Sequence, residues 1–247
     1  MPESINLEKL AATDEQIRGY FTSCYSQRVP LNLERLFEIA MNDKSLFPNM
    51  VKSKGFDYKS FIDRWVKGYL EADNSSTRVK HAIPKGSCND PAIKAIVKMV
   101  THISDEEATS QESHHNLFMS AENVQGALLE EYINSVVSKH GWIWCKGNTL
   151  RAVDFCTPDG KRLLQIKNKS NSENSSSSNI RSGTTIEKWF RLGTRKKAGK
   201  KNPDFKWEGL NRIIESASEM PCNLCEEDYV RYVEDVATNN PHLITDQ

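Results

Sequence analysis

The sequence has 247 residues, of which 38% are apolar and 27% are charged, so it can build one large domain or two modest ones around a core. It contains no apolar run of the ~18–20 residues that a membrane-spanning helix needs, and its first residues lack the basic and apolar stretch of a secretory signal. Six cysteines in a chain of this length indicate reduced thiols in a cytoplasmic protein rather than a disulfide framework.

Basic side chains are concentrated in one segment, although the whole chain is formally neutral. Residues 161–201 hold 12 basic and 2 acidic side chains, whereas residues 202–247 hold 3 basic and 10 acidic ones. A basic footprint of this size is typical of a protein that binds a polyanion, most often nucleic acid. Charge alone leaves a second interpretation open, in which the acidic C-terminal segment neutralises a solvated basic loop.

The first 115 residues carry apolar side chains at helical spacing. Stripes over residues 7–24, 33–41 and 61–70 predict three helices, and Asp90 is the predicted N-cap of a fourth helix that begins at Pro91. Residues 74–91 are predicted to form a loop, and the polar stretch 104–116 is predicted to be a linker. The sequence therefore predicts a mainly helical N-terminal region over residues 1–115.

The organisation changes in the second half of the chain. Ser120 is the predicted N-cap of a helix that ends near residues 140–141, and three strands are predicted over residues 142–145, 151–156 and 161–168. Residues 157–160, Thr-Pro-Asp-Gly, form the predicted turn between the second and third strands. A serine-rich run at residues 170–178 and a helical tail from residue 207 follow. Helices and strands in this order predict an α+β fold.

Three polar side chains of the predicted hairpin are expected to meet. Asp154 lies on one strand, and Gln165 and Lys167 lie on the next. If the turn closes with Cys156 opposite Lys161, side-chain alternation places all three on one face, with Asp154 and Gln165 on a diagonal. A one-residue bulge would break this parity.

These residue types suit the hydrolysis of phosphodiester bonds. Carboxylate and amide oxygens are ligands for Mg²⁺, and a lysine beside the ion can orient the attacking water or stabilise phosphate charge. The preceding helix offers Glu130 or Glu131 as a third acidic ligand, and Gly126 favours Glu130 because it leaves space one turn away on the same face. A surface hairpin with alternating polar side chains is the alternative interpretation. The sequence has no GxxxxGKS or GxxxxGKT loop, so no nucleotide cofactor is expected.

This pattern of Glu130, Asp154 and Gln165-Ile166-Lys167 resembles the PD-(D/E)xK nuclease superfamily. The longer string GWIWCKGNTLRAVDF, followed by LLQIKNKSNSENSSSSNIRSGTTIEKWFR, resembles type II restriction endonucleases of the SinI type, which cut within GGWCC. The resemblance covers about residues 120–210. The chain departs from the superfamily pattern at Val153, which replaces proline, and at Gln165, which replaces an acidic residue and removes one negative charge from the metal site.

The resemblance implies a catalytic region over residues 116–247, with a PD-(D/E)xK core in which helices flank a central mixed sheet. Residues 1–115 would clamp DNA or mediate dimerisation. It implies that Glu130, Asp154, Gln165 and Lys167 are catalytic and that the first three hold Mg²⁺. The expected substrate is double-stranded DNA with a short palindromic site, GGWCC or GGNCC-like, which a homodimer would cut.

The resemblance also implies that residues 168–201 recognise DNA. Asparagine pairs with adenine, arginine with guanine, and glutamate accepts from cytosine, while further basic side chains contact phosphates. The side chains expected to contact DNA are Asn168, Asn171, Ser172, Glu173, Asn174, Ser175, Arg181, Lys188, Arg191, Arg195, Lys196 and Lys197. Two other functions stay open at this point: a structure-specific nuclease such as a junction resolvase, and a DNA-binding protein without catalytic activity.

Overall fold

The computed structural model describes residues 4–74, 90–169, 184–197, 200–241 and 243–244. Contacts divide the chain into two units, one formed by residues 1–75 and 132–226 and the other by residues 76–131 and 227–247. This division does not follow the predicted boundary between residues 115 and 116. The roles predicted for residues 1–115, DNA clamping or dimerisation, stay predictions.

The first unit begins with the helices that the apolar stripes predict. Thr13 caps the first of them in a capping box with Gln16, so this helix begins later than its stripe. Two short strands pair beside the helices. In chain order, these elements are β1 (Ser4–Ile5), α1 (Asp14–Tyr25), α2 (Leu31–Asn42), β2 (Met50–Val51) and α3 (Tyr58–Asn74).

A five-stranded mixed sheet forms the rest of this unit together with one helix. The strands lie in chain order across the sheet, and every neighbouring pair is antiparallel except the third and fourth strands, which are parallel. They are β3 (Ile143–Trp144), β4 (Phe155–Cys156), β5 (Leu163–Lys169), β6 (Ile186–Lys197) and β7 (Lys200–Phe205). The predicted α+β class with a mixed sheet is confirmed.

The strand predicted over residues 151–156 is wrong for its first four residues. Val153 N–H donates to the carbonyl of Leu150 at 3.3 Å, and Ala152 has a φ of 62°, so the chain makes a tight turn there. A left-handed residue cannot continue an extended strand. The two strands β6 and β7 lie over residues 186–205, where no strand was predicted.

The two faces of the sheet are covered by different helices. Leu163 of β5 and Ile186 of β6 are register partners, and both belong to the core that the N-terminal helices build, with Phe37 and Trp65. On the opposite face, Trp189 packs on Trp207, the first residue of α6 (Trp207–Ser218), with ring centroids 5.1 Å apart. Alternation along β5 thus leaves Gln165 and Lys167 on the face that Leu163 shares with the N-terminal helices.

The second unit is helical. It contains α4 (Pro91–Thr101), the part of α5 (Asp105–Val137) that precedes Tyr132, and most of α7 (Glu226–Asn239). Asp90 caps α4 as predicted, because its side chain accepts from Ala92 N–H at 2.9 Å. Leu128 of α5 packs with Val236 of α7 in a small core of this unit.

Two predictions for α5 are wrong. Residues 104–116 are not a linker, because Ser104 and Glu107 form reciprocal hydrogen bonds that start a helix there, and acidic residues fill its first turn. Ser120 does not cap a helix; it is buried within α5, and its hydroxyl donates to the carbonyl of Asn116 at 2.9 Å. A polar sequence with a strong start signal is therefore helical.

None of the helices in the described residues has the combined length and apolar character that crossing a bilayer requires. The five cysteines that fall within the described ranges form no disulfide bond with one another.

Candidate active site

Asp154 stands where the chain leaves a tight turn and enters β4. Its backbone is fixed on both sides, because Cys145 N–H donates to the Asp154 carbonyl at 2.8 Å and Asp154 N–H donates to the Leu164 carbonyl at 2.9 Å. Phe155 is also the register partner of Leu164. Two consecutive residues therefore face one residue of β5, which is the arrangement of a β-bulge.

The hairpin register differs from the predicted one by two residues. Cys156 lies opposite Leu163, not opposite Lys161. The connection is longer because Thr157 N–H donates to the Arg162 carbonyl and the Asp159 carboxylate accepts from Lys161 N–H. A shift by two leaves the face of each side chain unchanged, but the bulge redirects the residue before Phe155.

The Asp154 carboxylate reaches along β5 and binds its backbone. Oδ2 accepts a hydrogen bond from Ile166 N–H at 2.6 Å, in the place that a longer β4 would occupy. Burial raises the pKa of Asp154 to about 6, against the lowering effects of this hydrogen bond and of the positive charge of Lys167. The described protein groups therefore compensate the ionised carboxylate only in part, so a cation at this position would be favourable.

Gln165 and Lys167 flank the residue whose N–H binds Asp154. Gln165 is only 8% exposed, and Lys167 is half-buried. On the adjacent strand, Lys188 is the register partner of Gln165 and is exposed. Paired residues of neighbouring strands share a face, so two ammonium groups and an amide lie on one side of the sheet. Lys188 was predicted to contact DNA. Its position beside Gln165 was not predicted, because it depends on the parallel pairing of β5 and β6.

The loop before Asp154 is held by α3. Trp65 Nε1 donates to the Thr149 carbonyl at 2.8 Å, and Gly147 approaches Gly68 so closely that a Cβ at Gly147 would lie 2.5 Å from the Gly68 carbonyl oxygen. Ala152, two residues before Asp154, keeps a left-handed backbone that costs a non-glycine residue about 1–2 kcal/mol. The N-terminal helices thus determine where the loop delivers the carboxylate.

The third predicted acidic group lies in the other unit. Glu130 is a half-buried residue of α5, and its neighbour Glu131 accepts a hydrogen bond from the hydroxyl of Tyr232 at 3.0 Å. Both glutamates belong to residues 76–131, whereas Asp154, Gln165 and Lys167 belong to the first unit. The assignment of Glu130 to the metal site stays a prediction.

Comparisons with known proteins identify the family of this chain. A family model described as SinI restriction endonuclease matches residues 47–238. The chain belongs to the SinI restriction endonuclease family. The type II restriction enzyme Eco47I of Escherichia coli is 32% identical over 208 residues, which cover 81% of this chain and 86% of that enzyme. The type II restriction enzyme SinI of Salmonella infantis is 34% identical over 213 residues, covering 82% of this chain and 86% of that enzyme.

Membership of the SinI family makes this protein a type II restriction endonuclease, that is, a site-specific deoxyribonuclease. The match also reaches further than the resemblance seen in the sequence, because it includes α3 as well as the loop before Asp154 and the hairpin that the resemblance covers. The family match therefore includes both α3 and the loop before Asp154, which contact each other through Trp65 and Gly147.

Two residues predicted to contact DNA in this SinI family member are engaged with other protein groups. Arg191 is 5% exposed, its Nε donates to Asn168 Oδ1 at 2.9 Å, and its guanidinium forms an ion pair with Glu226. A buried, paired arginine of this kind holds elements together. Contacts of Asn168 and Arg191 with DNA stay predictions, and DNA would have to compete with these partners.

The other predicted DNA contacts lie in the basic segment around β6. Arg195 is exposed and forms an ion pair with Asp204 of β7 at 3.4 Å. Lys196 and Lys197 end β6, and their side chains are not among those that the structure describes. Six predicted residues lie outside the described ranges altogether: Asn171, Ser172, Glu173, Asn174, Ser175 and Arg181.

Proposed function

We propose that this restriction endonuclease hydrolyses double-stranded DNA with Mg²⁺ at a short palindromic site, GGWCC or a GGNCC-like relative. The resemblance to the SinI type supports the target sequence. The positive charge of residues 168–201, the segment predicted to recognise DNA, supports contacts with bases and phosphates. A palindrome has two equivalent strands, so two copies of one chain acting as a homodimer are the matching assembly.

One observation carries the metal part of the proposal. Asp154 is a partly buried carboxylate whose pKa is raised to about 6 by loss of hydration, and Gln165, which precedes the residue whose N–H it binds, is buried. Asp154 Oδ2 is oriented by Ile166 N–H, and among the described residues it has no basic partner within ion-pair distance. Such a site favours a hard cation that accepts few protein ligands and keeps several waters, which is the behaviour of Mg²⁺.

Four residues of the hairpin and of β6 would have separate roles in DNA hydrolysis. Asp154 and the Gln165 side-chain oxygen would hold the ion. When bound, Mg²⁺ supplies positive charge to the scissile phosphate and lowers the pKa of a coordinated water. Lys167 would hydrogen-bond the attacking water and a phosphate oxygen, and Lys188 adds positive charge on the same face. Attack on phosphorus then leaves 5′-phosphate and 3′-hydroxyl ends.

The test compares two lysines of the same hairpin. Lys167→Ala is expected to lower the rate of cleavage by about 10²–10⁴-fold, because general acid–base and orienting groups contribute on this scale. Binding of a duplex that contains the site, measured without divalent ions, is expected to change little. Lys161→Ala is the matched control, since Lys161 is exposed on the turn and pairs only with Asp159 among the described residues.

The assay digests phage DNA with the purified protein and sequences the fragment ends. Fragments that share one short palindrome and carry 5′-phosphates are expected with Mg²⁺. Near-normal cutting by Lys167→Ala would refute its role. Cleavage restricted to branched DNA would replace the proposal by a junction resolvase, and tight duplex binding without cleavage at any Mg²⁺ or Mn²⁺ concentration would replace it by a non-catalytic protein.

A further inference from the structure

Arg151 differs from most arginines that the structure describes, because its guanidinium group has no partner among the described residues. Of the ten arginines in these ranges, eight use the guanidinium group for an ion pair or a hydrogen bond. Within the same ranges only Arg35 and Arg151 do neither, and both are exposed. A guanidinium group without a partner presents a planar fork of N–H donors that matches the geometry of a phosphate.

The other cation of the loop before Asp154 is already paired. Lys146 forms an ion pair with Asp73 of α3 at 2.7 Å, so its charge is engaged within the protein. No ion pair in the described part of the chain joins Arg151 to Asp154, and the positive charge that lowers the pKa of Asp154 is that of Lys167. The charge of Arg151 is therefore available to a group outside the protein.

Arg151 occupies the tip of the tight turn that leads into Asp154. Leu150 and Val153 form the two ends of this turn and are only 1% and 2% exposed. The positive φ of Ala152, at the third position, is the arrangement of a type II turn, which favours glycine there. Strained backbone of this kind is found most often at functional sites. The buried ends fix the turn and leave the Arg151 side chain exposed to solvent.

The backbone of Arg151 is held in place like that of Asp154. Arg151 N–H donates to the carbonyl of Leu46 at 2.6 Å, and Cys145 N–H donates to the carbonyl of Asp154 at 2.8 Å. Three residues of chain span at most ~11 Å. Phosphates of one DNA strand follow each other about every 3.4 Å along the helix axis, so this distance corresponds to a few nucleotides. A phosphate at Asp154 therefore has its close neighbours along the DNA near Arg151.

We propose that the guanidinium group of Arg151 binds a phosphate of the DNA backbone within a few nucleotides of the scissile phosphate. The planar fork can donate to two phosphate oxygens at once, and a turn that is already fixed loses little freedom on binding. The location of the scissile phosphate rests on the proposed function, which places it at Asp154. The contact of Arg151 with DNA depends neither on the metal nor on the target sequence, so it is measurable without cleavage.

The experiment measures the binding of DNA by the full chain as a function of salt concentration. Fluorescence anisotropy gives the association constant in EDTA from about 50 to about 200 mM NaCl, for a duplex that contains GGWCC and for a duplex of equal length without it. The variants are Arg151→Ala, Arg151→Lys and Arg35→Ala. Arg35 is the matched control, because it is the other exposed arginine without a side-chain partner in the described ranges but lies on α2. Urea denaturation without DNA checks that each variant is folded.

Arg151→Ala is expected to weaken the binding of both duplexes roughly 10-fold and to reduce the slope of log K against log salt concentration by about 0.9, the value for one phosphate contact. Arg151→Lys keeps the charge and is expected to keep the slope, and Arg35→Ala is expected to match the wild type. An unchanged slope for Arg151→Ala, or an equal loss with Arg35→Ala, would overturn the proposal. A loss confined to the GGWCC duplex would also overturn it, because it would indicate contact with a base.

The two duplexes separate this inference from the proposed function. Equal affinity of the wild type for both duplexes would refute the proposed target, whereas a reduced slope for Arg151→Ala on both would still support the phosphate contact. Cleavage at GGWCC together with an unchanged slope would support the proposed function and refute the role of Arg151.

Discussion

Replacing Asp154 by asparagine is expected to stabilise the protein in the absence of divalent ions. Burial raises the pKa of Asp154 to about 6 in the folded state, whereas an aspartate in an unfolded chain titrates near 3.9. Each unit of difference corresponds to 1.36 kcal/mol, so the ionised carboxylate lowers the free energy of unfolding by up to about 3 kcal/mol. Asparagine keeps the shape and an oxygen for Ile166 N–H, but has no charge to bury.

The pH dependence has a definite sign. At about pH 3 the carboxyl group is largely neutral in both states, so Asp154 and asparagine are nearly equivalent, and at pH 4 the difference is still small. Between about pH 4 and pH 6 the unfolded chain ionises first, and the free energy of unfolding falls. The loss is complete about one pH unit above the folded pKa of about 6. The stabilisation by Asp154→Asn is therefore expected to grow from near zero at pH 4 to about 1–3 kcal/mol at pH 8.

Urea denaturation of both proteins at pH 4, 6 and 8 with EDTA measures this difference. Asp159→Asn is the control on the same hairpin, because hydrogen bonds from Thr157 and from Lys161 N–H lower the pKa of Asp159. A lowered pKa contributes stability above the unfolded value that is lost as the pH falls, so Asp159→Asn has the opposite sign. Equal stability of Asp154→Asn and wild type at pH 8, or a gain that does not depend on pH, would show that no buried charge is present.

Three further substitutions test the site and its supports. Gly147→Ala is expected to lower the free energy of unfolding by about 1–3 kcal/mol more than Gly141→Ala does. Both glycines have a positive φ, but only at Gly147 would the added Cβ lie 2.5 Å from a backbone atom, the carbonyl oxygen of Gly68. Equal losses of stability in urea denaturation would contradict this. Glu130→Gln is expected to slow cleavage about 10–100-fold, and Glu131→Gln much less; the reverse order in single-turnover assays would transfer the role to Glu131. Arg191→Ala is expected to destabilise the protein by about 1–3 kcal/mol, because it removes the ion pair with the partly buried Glu226, which keeps only its hydrogen bond from Trp207 Nε1; a loss of DNA binding at unchanged stability would instead make Arg191 a DNA contact.

Local sequence was sufficient to predict the hairpin that carries Asp154 and Lys167. A turn with proline and glycine between two apolar segments indicates a hairpin, and alternation along β5 then sets the face of Gln165 and Lys167, whereas the bulge at Asp154 was not predicted. The register depended on more than the turn residues. Asp159 and Thr157 form side-chain hydrogen bonds within the connection, and these move its closure by two residues. Such bonds compete with strand pairing and are not visible as a pattern.

Long-range pairing explains what the sequence did not predict. β6 contains many lysines and arginines, which have little preference for strands, and it becomes a strand because β5 and β7 pair with it on both sides. Arg191 belongs to the basic segment by composition, yet its partner Glu226 is 35 residues away. Charge counted along the chain indicates a surface that binds DNA, but it does not separate a solvent-facing arginine from a buried one.

The N-terminal helices and the hairpin that carries Asp154 are parts of one structural unit, so the position of Asp154 depends on contacts with those helices. The core contains Phe37 and Trp65 together with Cys156 and Leu163, so neither part buries its apolar face alone. The loop before Asp154 takes a strained backbone, which persists only when surrounding contacts determine it. The hydrogen bond from Trp65 and the close approach at Gly147 are such contacts. We therefore expect the position of the Asp154 carboxylate, and with it cleavage, to depend on α3 even though α3 supplies none of the proposed metal ligands.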